Sequence, residues 1–204
     1  MSIVITLAAC AAMAIGATGW WMRALAAVGV RDVRPAAVCA CGFGMFVATA
    51  SVSASRASAL VPVFLFGCVA VVIWHADLNM RRIPDACCLT AYPIIAATMI
   101  VIAVAAADAD GLLRAAVTSG AYLCCYLVLY VRGGVGFGDV KLAGLIGLVA
   151  GWLGAGSATW ALILGFVVGA IVGAWFLATG CRGSTLAFGP CMLTGAVTAF
   201  VLTG

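Results

Sequence analysis

Apolar runs of close to twenty residues recur along almost the whole chain, and no other feature limits the possible folds so strongly. Each run matches the ~20 residues that carry a helix across a hydrocarbon core. Hydrophobic residues make up 67% of the sequence and charged residues 8%. A soluble domain carries about a quarter charged residues, so this chain lacks the polar surface to cover a globule in water. It reads as an all-α polytopic membrane protein in contact with lipid. No stretch is left for a soluble domain, and residues 1–204 form one integral membrane unit. Eight spans are expected, at about 2–20, 36–54, 57–76, 86–107, 112–131, 140–154, 157–179 and 187–203. The sixth is short and glycine-interrupted, which suits a helix that is tilted, broken or sheltered by its neighbours. The first apolar stretch has no basic residue ahead of it and reads as a span rather than a cleaved leader. Trp20 and Trp21, followed by Arg23, are expected to mark its far end as an interface.

Nine Arg and one Lys stand against six Asp and no Glu, for a formal charge of +4. The basic residues are scattered in ones and twos between apolar runs, a pattern of topology signals rather than of a phosphate-binding patch. No nucleic-acid partner is expected. Arg23, Arg31 and Arg34 fall between spans one and two, Arg81 and Arg82 between three and four, Arg132 and Lys141 between five and six, and Arg182 between seven and eight. The other side has only Arg56 and Arg114. Eight against two assigns the first group to the cytoplasm and both termini to the outside of a cell membrane.

Most of the ten Cys lie inside apolar runs (Cys10, Cys39, Cys41, Cys68, Cys87, Cys88, Cys124, Cys125), and no pair of CxxC motifs exists. They are expected to pack as small apolar residues; no metal and no cofactor is expected.

Six carboxylates remain as chemistry: Asp32, Asp77, Asp85, Asp108, Asp110 and Asp139. Asp108 and Asp110 fall in a short outside loop, and Asp32 sits between Arg31 and Arg34 in a cytoplasmic one; all three read as solvated. Asp77 ends the apolar run ALVPVFLFGCVAVVIWHA. On position alone it reads first as an ordinary helix-end charge or an i,i+4 partner of Arg81. His75, two residues earlier, reads as an interfacial side chain with no partner at metal-site spacing. Asp139 follows Gly133, Gly134, Gly136 and Gly138, which let the backbone bend and approach other chains closely. It then opens an apolar helix, where backbone N–H groups and the helix dipole favour a carboxylate; an N-capping Asp would look the same. The segment GGVGFGDVK lacks the Gly, Lys, Ser/Thr order of a P-loop. Asp77 and Asp139 nevertheless share the cytoplasmic rim. Two carboxylates brought together hold one proton between them near neutral pH, and such a dyad can activate water against a peptide carbonyl.

Gly136-Phe137-Gly138-Asp139 resembles the GxGD signature of intramembrane aspartyl proteases, and Val140-Lys141-Leu142 narrows the likeness to type IV prepilin peptidases. Asp77 through Arg81, Arg82, Ile83, Pro84 and Asp85 is similar to that family's other acidic motif, and Phe188-Gly189-Pro190 to the motif opening its last helix. The likeness covers roughly 57–204. It implies that Asp77 and Asp139 are the catalytic pair at the cytoplasmic membrane face. It implies supporting positions at Gly136, Gly138, Lys141, Pro84, Asp85, Gly189 and Pro190, with Asp85 structural and Lys141 near Asp139, near a substrate carbonyl or simply on the surface. The implied partner is a type IV prepilin-like or pseudopilin precursor, whose short basic leader is cut just before its hydrophobic helix. Bifunctional members carry a CxxC-rich insert after the first span and also methylate the new terminus. The loop here is only about 22–35, so methyltransferase activity is not expected. Two alternatives stay open: GxGD proteolysis of other membrane or signal peptides, and a proton-coupled transporter, although rim acids without internal repeats fit the latter poorly.

Overall fold

The computed structural model describes residues 2–30, 32–179 and 187–203, and the side chains of all of these but 2–4 and 53–55. Eight helices follow in chain order: α1 (Ser2–Val28), α2 (Pro35–Ser55), α3 (Leu60–Met80), α4 (Asp85–Ala106), α5 (Ala109–Val131), α6 (Phe137–Leu153), α7 (Ala155–Ala178) and α8 (Phe188–Thr203). One 3-10 turn, Ala57–Ala59, leads into α3, and no strand occurs among the described residues. The chain is therefore an all-α polytopic membrane fold. Six stretches are long and apolar enough to cross a membrane: Ile5–Val28, Pro35–Val52, Ala57–Met80, Asp85–Ala106, Ala109–Val131 and Ala155–Ala178. The α8 helix is apolar but shorter. Val104, Val131 and Leu202 are at least 70% exposed. Water would penalise such a surface, whereas hydrocarbon makes it the ordinary outer face.

The expected sixth span is not broken. The α6 helix is continuous, and every residue from Leu142 to Leu153 is buried by its neighbours. Its glycines explain the close fit. A Cβ at Gly147 would stand 2.9 Å from the Thr118 carbonyl oxygen, and one at Gly151 would stand 2.7 Å from that of Arg114. Backbone approaches of this kind supply van der Waals contact where lipid offers no hydrophobic drive between helices. Ser119 Oγ donates to the Gly144 carbonyl at 2.8 Å, and Tyr92 Oη donates to that of Lys141 at 2.7 Å, tying α5 and α4 to the same helix. On the other seam, a Cβ on Gly195 of α8 would overlap the backbone of Gly165 in α7.

Three expectations need correction. The first helix runs to Val28, so Arg23 lies within it rather than in a loop. Trp20 is exposed, but Trp21 is fully buried and is no interface residue. Its indole N–H donates to the Cys68 carbonyl at 3.1 Å, and Gly42 leaves the space that its ring fills. Cys10 and Cys88 are buried as expected, whereas Cys124 and Cys125 are exposed on α5. Arg31 and Arg182, both counted in the orientation, lie outside the described residues.

The up-and-down order brings the ends of α1, α3 and α5 to one end of the bundle with the starts of α2, α4, α6 and α8. At the opposite end, Arg56 donates to the Leu153 carbonyl, placing a cation on the free carbonyls and negative dipole end of α6. Asp108, exposed there, caps α5 by accepting the Gly111 N–H at 2.8 Å.

Candidate active site

Asp77 lies in the last turn of α3 and is only 5% exposed. Its Oδ2 accepts the backbone N–H of Gly189 at 3.0 Å. That donor comes from the first turn of α8, where helix N–H groups have no intrahelical acceptor. Each residue of the Phe-Gly-Pro stretch has a physical reason to be there. The Phe188 ring packs against Phe166 and Tyr126, with centroids 6.1 and 6.3 Å away, and seats the start of α8 on α7 and α5. Gly189 allows contact: a Cβ there would stand 2.8 Å from Asp77 Oδ2. Pro190 falls in the first helical turn, where its missing N–H loses no bond.

Asp139 is held by its own segment. Gly133, at φ 76°, closes α5 with paired bonds: its N–H reaches the Tyr130 carbonyl at 2.8 Å, and that of Gly134 reaches Leu129 at 2.9 Å. Gly136 is extended and starts α6. Its N–H donates to Asp139 Oδ2 at 3.0 Å, while its carbonyl accepts the Asp139 N–H at 3.1 Å. Asp139 is half-buried and precedes the apolar body of α6, outside the six spans given above. Burial pushes its carboxyl up to about 6; the Gly136 N–H pulls against this, and the nearby Asp77 charge adds to it.

The turn from α3 to α4 closes over both. Arg81 adopts the left-handed conformation (φ 50°), and its N–H returns to the Asp77 carbonyl at 2.8 Å. Ile83 is buried against Gly138, where a Cβ would stand 3.0 Å from that of Ile83. Pro84 is extended and precedes α4, and Asp85 opens it. Lys141 Nζ reaches Asp85 Oδ1 at 2.6 Å and lies 4.6 Å from the centroid of the Phe137 ring. The ammonium thus goes to Asp85 rather than to Asp139, fastening the first turns of α4 and α6 to each other.

Asp77, Asp139, Gly136, Gly138, Asp85 and Lys141 all line one cavity of about 380 Å³, with Arg81, Arg82 and Ile83. Pro84 is not among the lining residues, and Pro190 lines the neighbouring groove between α3, α7 and α8. Among the described residues no three His, Cys or Asp side chains converge as a metal site. Two carboxylates facing one water-accessible space can share a proton and activate a water molecule. Sequence reading named Ile83 only as a member of the acidic motif, without its contact to Gly138, and missed Tyr92. Ile83 is one apolar residue in a polar turn, and Tyr92 sits in an apolar run whose partner lies two helices on.

Residues 63–177 match the model of the type IV leader peptidase family. This stretch contains both aspartates and ends before Phe188. The chain is also similar to a prepilin leader peptidase/N-methyltransferase of Bacillus subtilis (strain 168), with 29% identity over 144 residues. That match covers 70% of this chain and 56% of the relative, so the chain spans little more than half the length of the curated protein it matches. No solved structure matches it.

Proposed function

This chain belongs to the type IV leader peptidase family, and we propose that it is a membrane aspartic endopeptidase that removes the short basic leader of a type IV prepilin-like or pseudopilin precursor. The observation that carries this reading is the cavity in which Asp77 and Asp139, from two helices distant in sequence, meet. The arginine distribution supports placing that cavity at the cytoplasmic face of the cell membrane. The proposal is confined to peptide cleavage. The connection from α1 to α2, residues 29–34, has no room for a cysteine-rich methylating insert.

In the proposed reaction, Asp77 acts as general base and takes a proton from water, whose oxygen adds to the scissile carbonyl carbon. Asp139 carries the proton of the pair and gives it to the carbonyl oxygen. Collapse of the tetrahedral species breaks the C–N bond: the proton on Asp77 passes to the leaving amine, and one hydroxyl of the diol returns its proton to Asp139 as the new carboxyl group forms. The Gly189 N–H orients Asp77, and the Gly136 N–H orients Asp139.

Expression of the chain with a pilin-like precursor, followed by gel analysis of leader removal, tests the reading. Cleavage is expected from the wild type and from neither Asp77→Asn nor Asp139→Asn, with all three present in the membrane. Full cleavage by either variant would falsify the dyad.

A further inference from the structure

His75 is a buried polar side chain of α3 that the dyad chemistry does not use. It is 5% exposed, and its Nδ1 lies 2.9 Å from the Val71 carbonyl. A carbonyl can only accept, so Nδ1 carries a proton, and in the neutral ring Nε2 is the acceptor. No described residue donates to Nε2, and no fully enclosed side-chain polar atom lacks a partner. Nε2 is therefore not fully enclosed. His75 lines a groove of about 720 Å³ between α2, α3 and α8, with Asp32, Arg34 and Asn79 toward the helix ends and Met45, Leu193 and Val197 deeper along it.

We propose that this groove docks the first turns of the precursor's apolar helix, and that His75 Nε2 accepts one of that helix's unpaired backbone N–H groups. The inference rests on the peptidase reading above and adds the place and chemistry of substrate binding. Adjacency to the cavity of the two aspartates argues for this occupant. Arg81 lines both that cavity and the groove between α3, α7 and α8. Trp74, Leu78 and Thr194 line that groove and the His75 groove alike, so the three spaces adjoin one another around α3. Depth argues for it too. His75 is two residues before Asp77 on α3, roughly 3 Å further along the axis and on the opposite face of the helix. From Arg34 to Met45 the groove follows α2 for roughly 16 Å, about half a hydrocarbon core. A helix that begins just after a bond cut at the dyad enters at this level with four N–H groups unpaired, each costly in hydrocarbon. An acyl chain could fill the apolar walls but has no donor for Nε2. Asn79 donates Nδ2 to the His75 carbonyl at 2.7 Å, which leaves its Oδ1 as a second acceptor toward the helix ends.

The test compares His75→Leu, which fills space without an acceptor, with His75→Gln, which keeps one. The full chain is reconstituted in vesicles with a pilin-like precursor. His75→Leu is expected to raise KM about tenfold with kcat within twofold, and His75→Gln to recover most of the loss. In parallel, a photoreactive residue in the first helical turn of the precursor, trapped on Asp139→Asn enzyme, is expected to label residues 74–79 of α3 and 193–198 of α8. An unchanged KM in His75→Leu, an equal loss in both variants, a loss in kcat alone, or labelling of α4 and α5 would each overturn the docking site. In those cases wild-type cleavage still stands. A wild type that cuts no precursor overturns the peptidase reading and the docking site with it.

Discussion

The two carboxylates of the cavity are held in opposite ways. The hydrogen bonds that orient Asp139 lie within residues 129–139: a left-handed glycine, an extended glycine and a bond from Gly136 three positions back. Asp77 is oriented by an N–H donor 112 residues away, at the start of a different helix. Asp139 is half-buried at a helix mouth, whereas Asp77 is buried between helices. One acid is thus a product of local backbone chemistry and the other of packing. Damage to the seating of α8 is therefore expected to disable Asp77 while leaving Asp139 in place.

The largest expected effect removes either acid. Asp77→Asn and Asp139→Asn should each lower leader cleavage by about a thousandfold or more, within the range known for general acid–base groups. Next comes Gly189→Ala, which drives a Cβ against Asp77 Oδ2 at 2.8 Å. A displacement near 1 Å in a catalytic group can reduce rate on the order of a hundredfold, and that loss is expected here. The matched change is Gly136→Ala, where the Cβ would stand 3.4 Å from Asp139 Oδ2 and the backbone is already extended. It should reduce cleavage no more than about threefold, as expected for loss of a favourable helix-cap residue. Equal losses in the two alanine variants, measured on the same precursor, would erase the local-versus-tertiary distinction.

The pH dependence is expected to be smaller and graded. Asp139 must carry the proton, and burial holds its pKa near 6. Cleavage should therefore fall as pH rises beyond about 6, by up to about tenfold per unit; a flat profile from pH 5 to 8 would reassign the proton. The stability effect has a definite sign. The folded chain keeps a proton on Asp139 that the unfolded chain loses, so this group lowers stability as pH rises from the ordinary value of 3.8 to about 6. Asp139→Asn, which cannot ionise, should melt no lower than wild type at pH 7 in detergent. The smallest expected effect is that of Asp85→Asn. Its partner Lys141 is 18% exposed and Asp85 itself 64%, so the pair is largely solvent-screened. Such pairs contribute about 0–1 kcal/mol, and cleavage should change no more than about threefold, less at high salt.

The helical architecture was legible because apolar runs of spanning length leave a chain in lipid no alternative to internally bonded helices. The eight expected stretches correspond to α1 through α8, with the largest error at the end of α1. The residues around Asp139 were legible for a related reason: glycine conformation and helix-start geometry are local, so their sequence order carries their structure. Trp21 was misread because a Trp-Trp-Arg triplet has the composition of an interface, whereas its partners, Cys68 and Gly42, lie on other helices. Arg81 was equally unreadable as a helix end, since a left-handed cap is ordinarily glycine.

By itself, then, the sequence determined a bundle of membrane helices, the glycine-built seat of Asp139 and the presence of a second acid at a helix end. Only the tertiary structure decided that Gly189 would orient Asp77, that Ile83 would close on Gly138, that Lys141 would pair with Asp85, and that His75 would line a groove. The reason is physical. Periodicity and backbone preference act over a few residues, whereas the approach of two helices depends on the shape of every side chain between them.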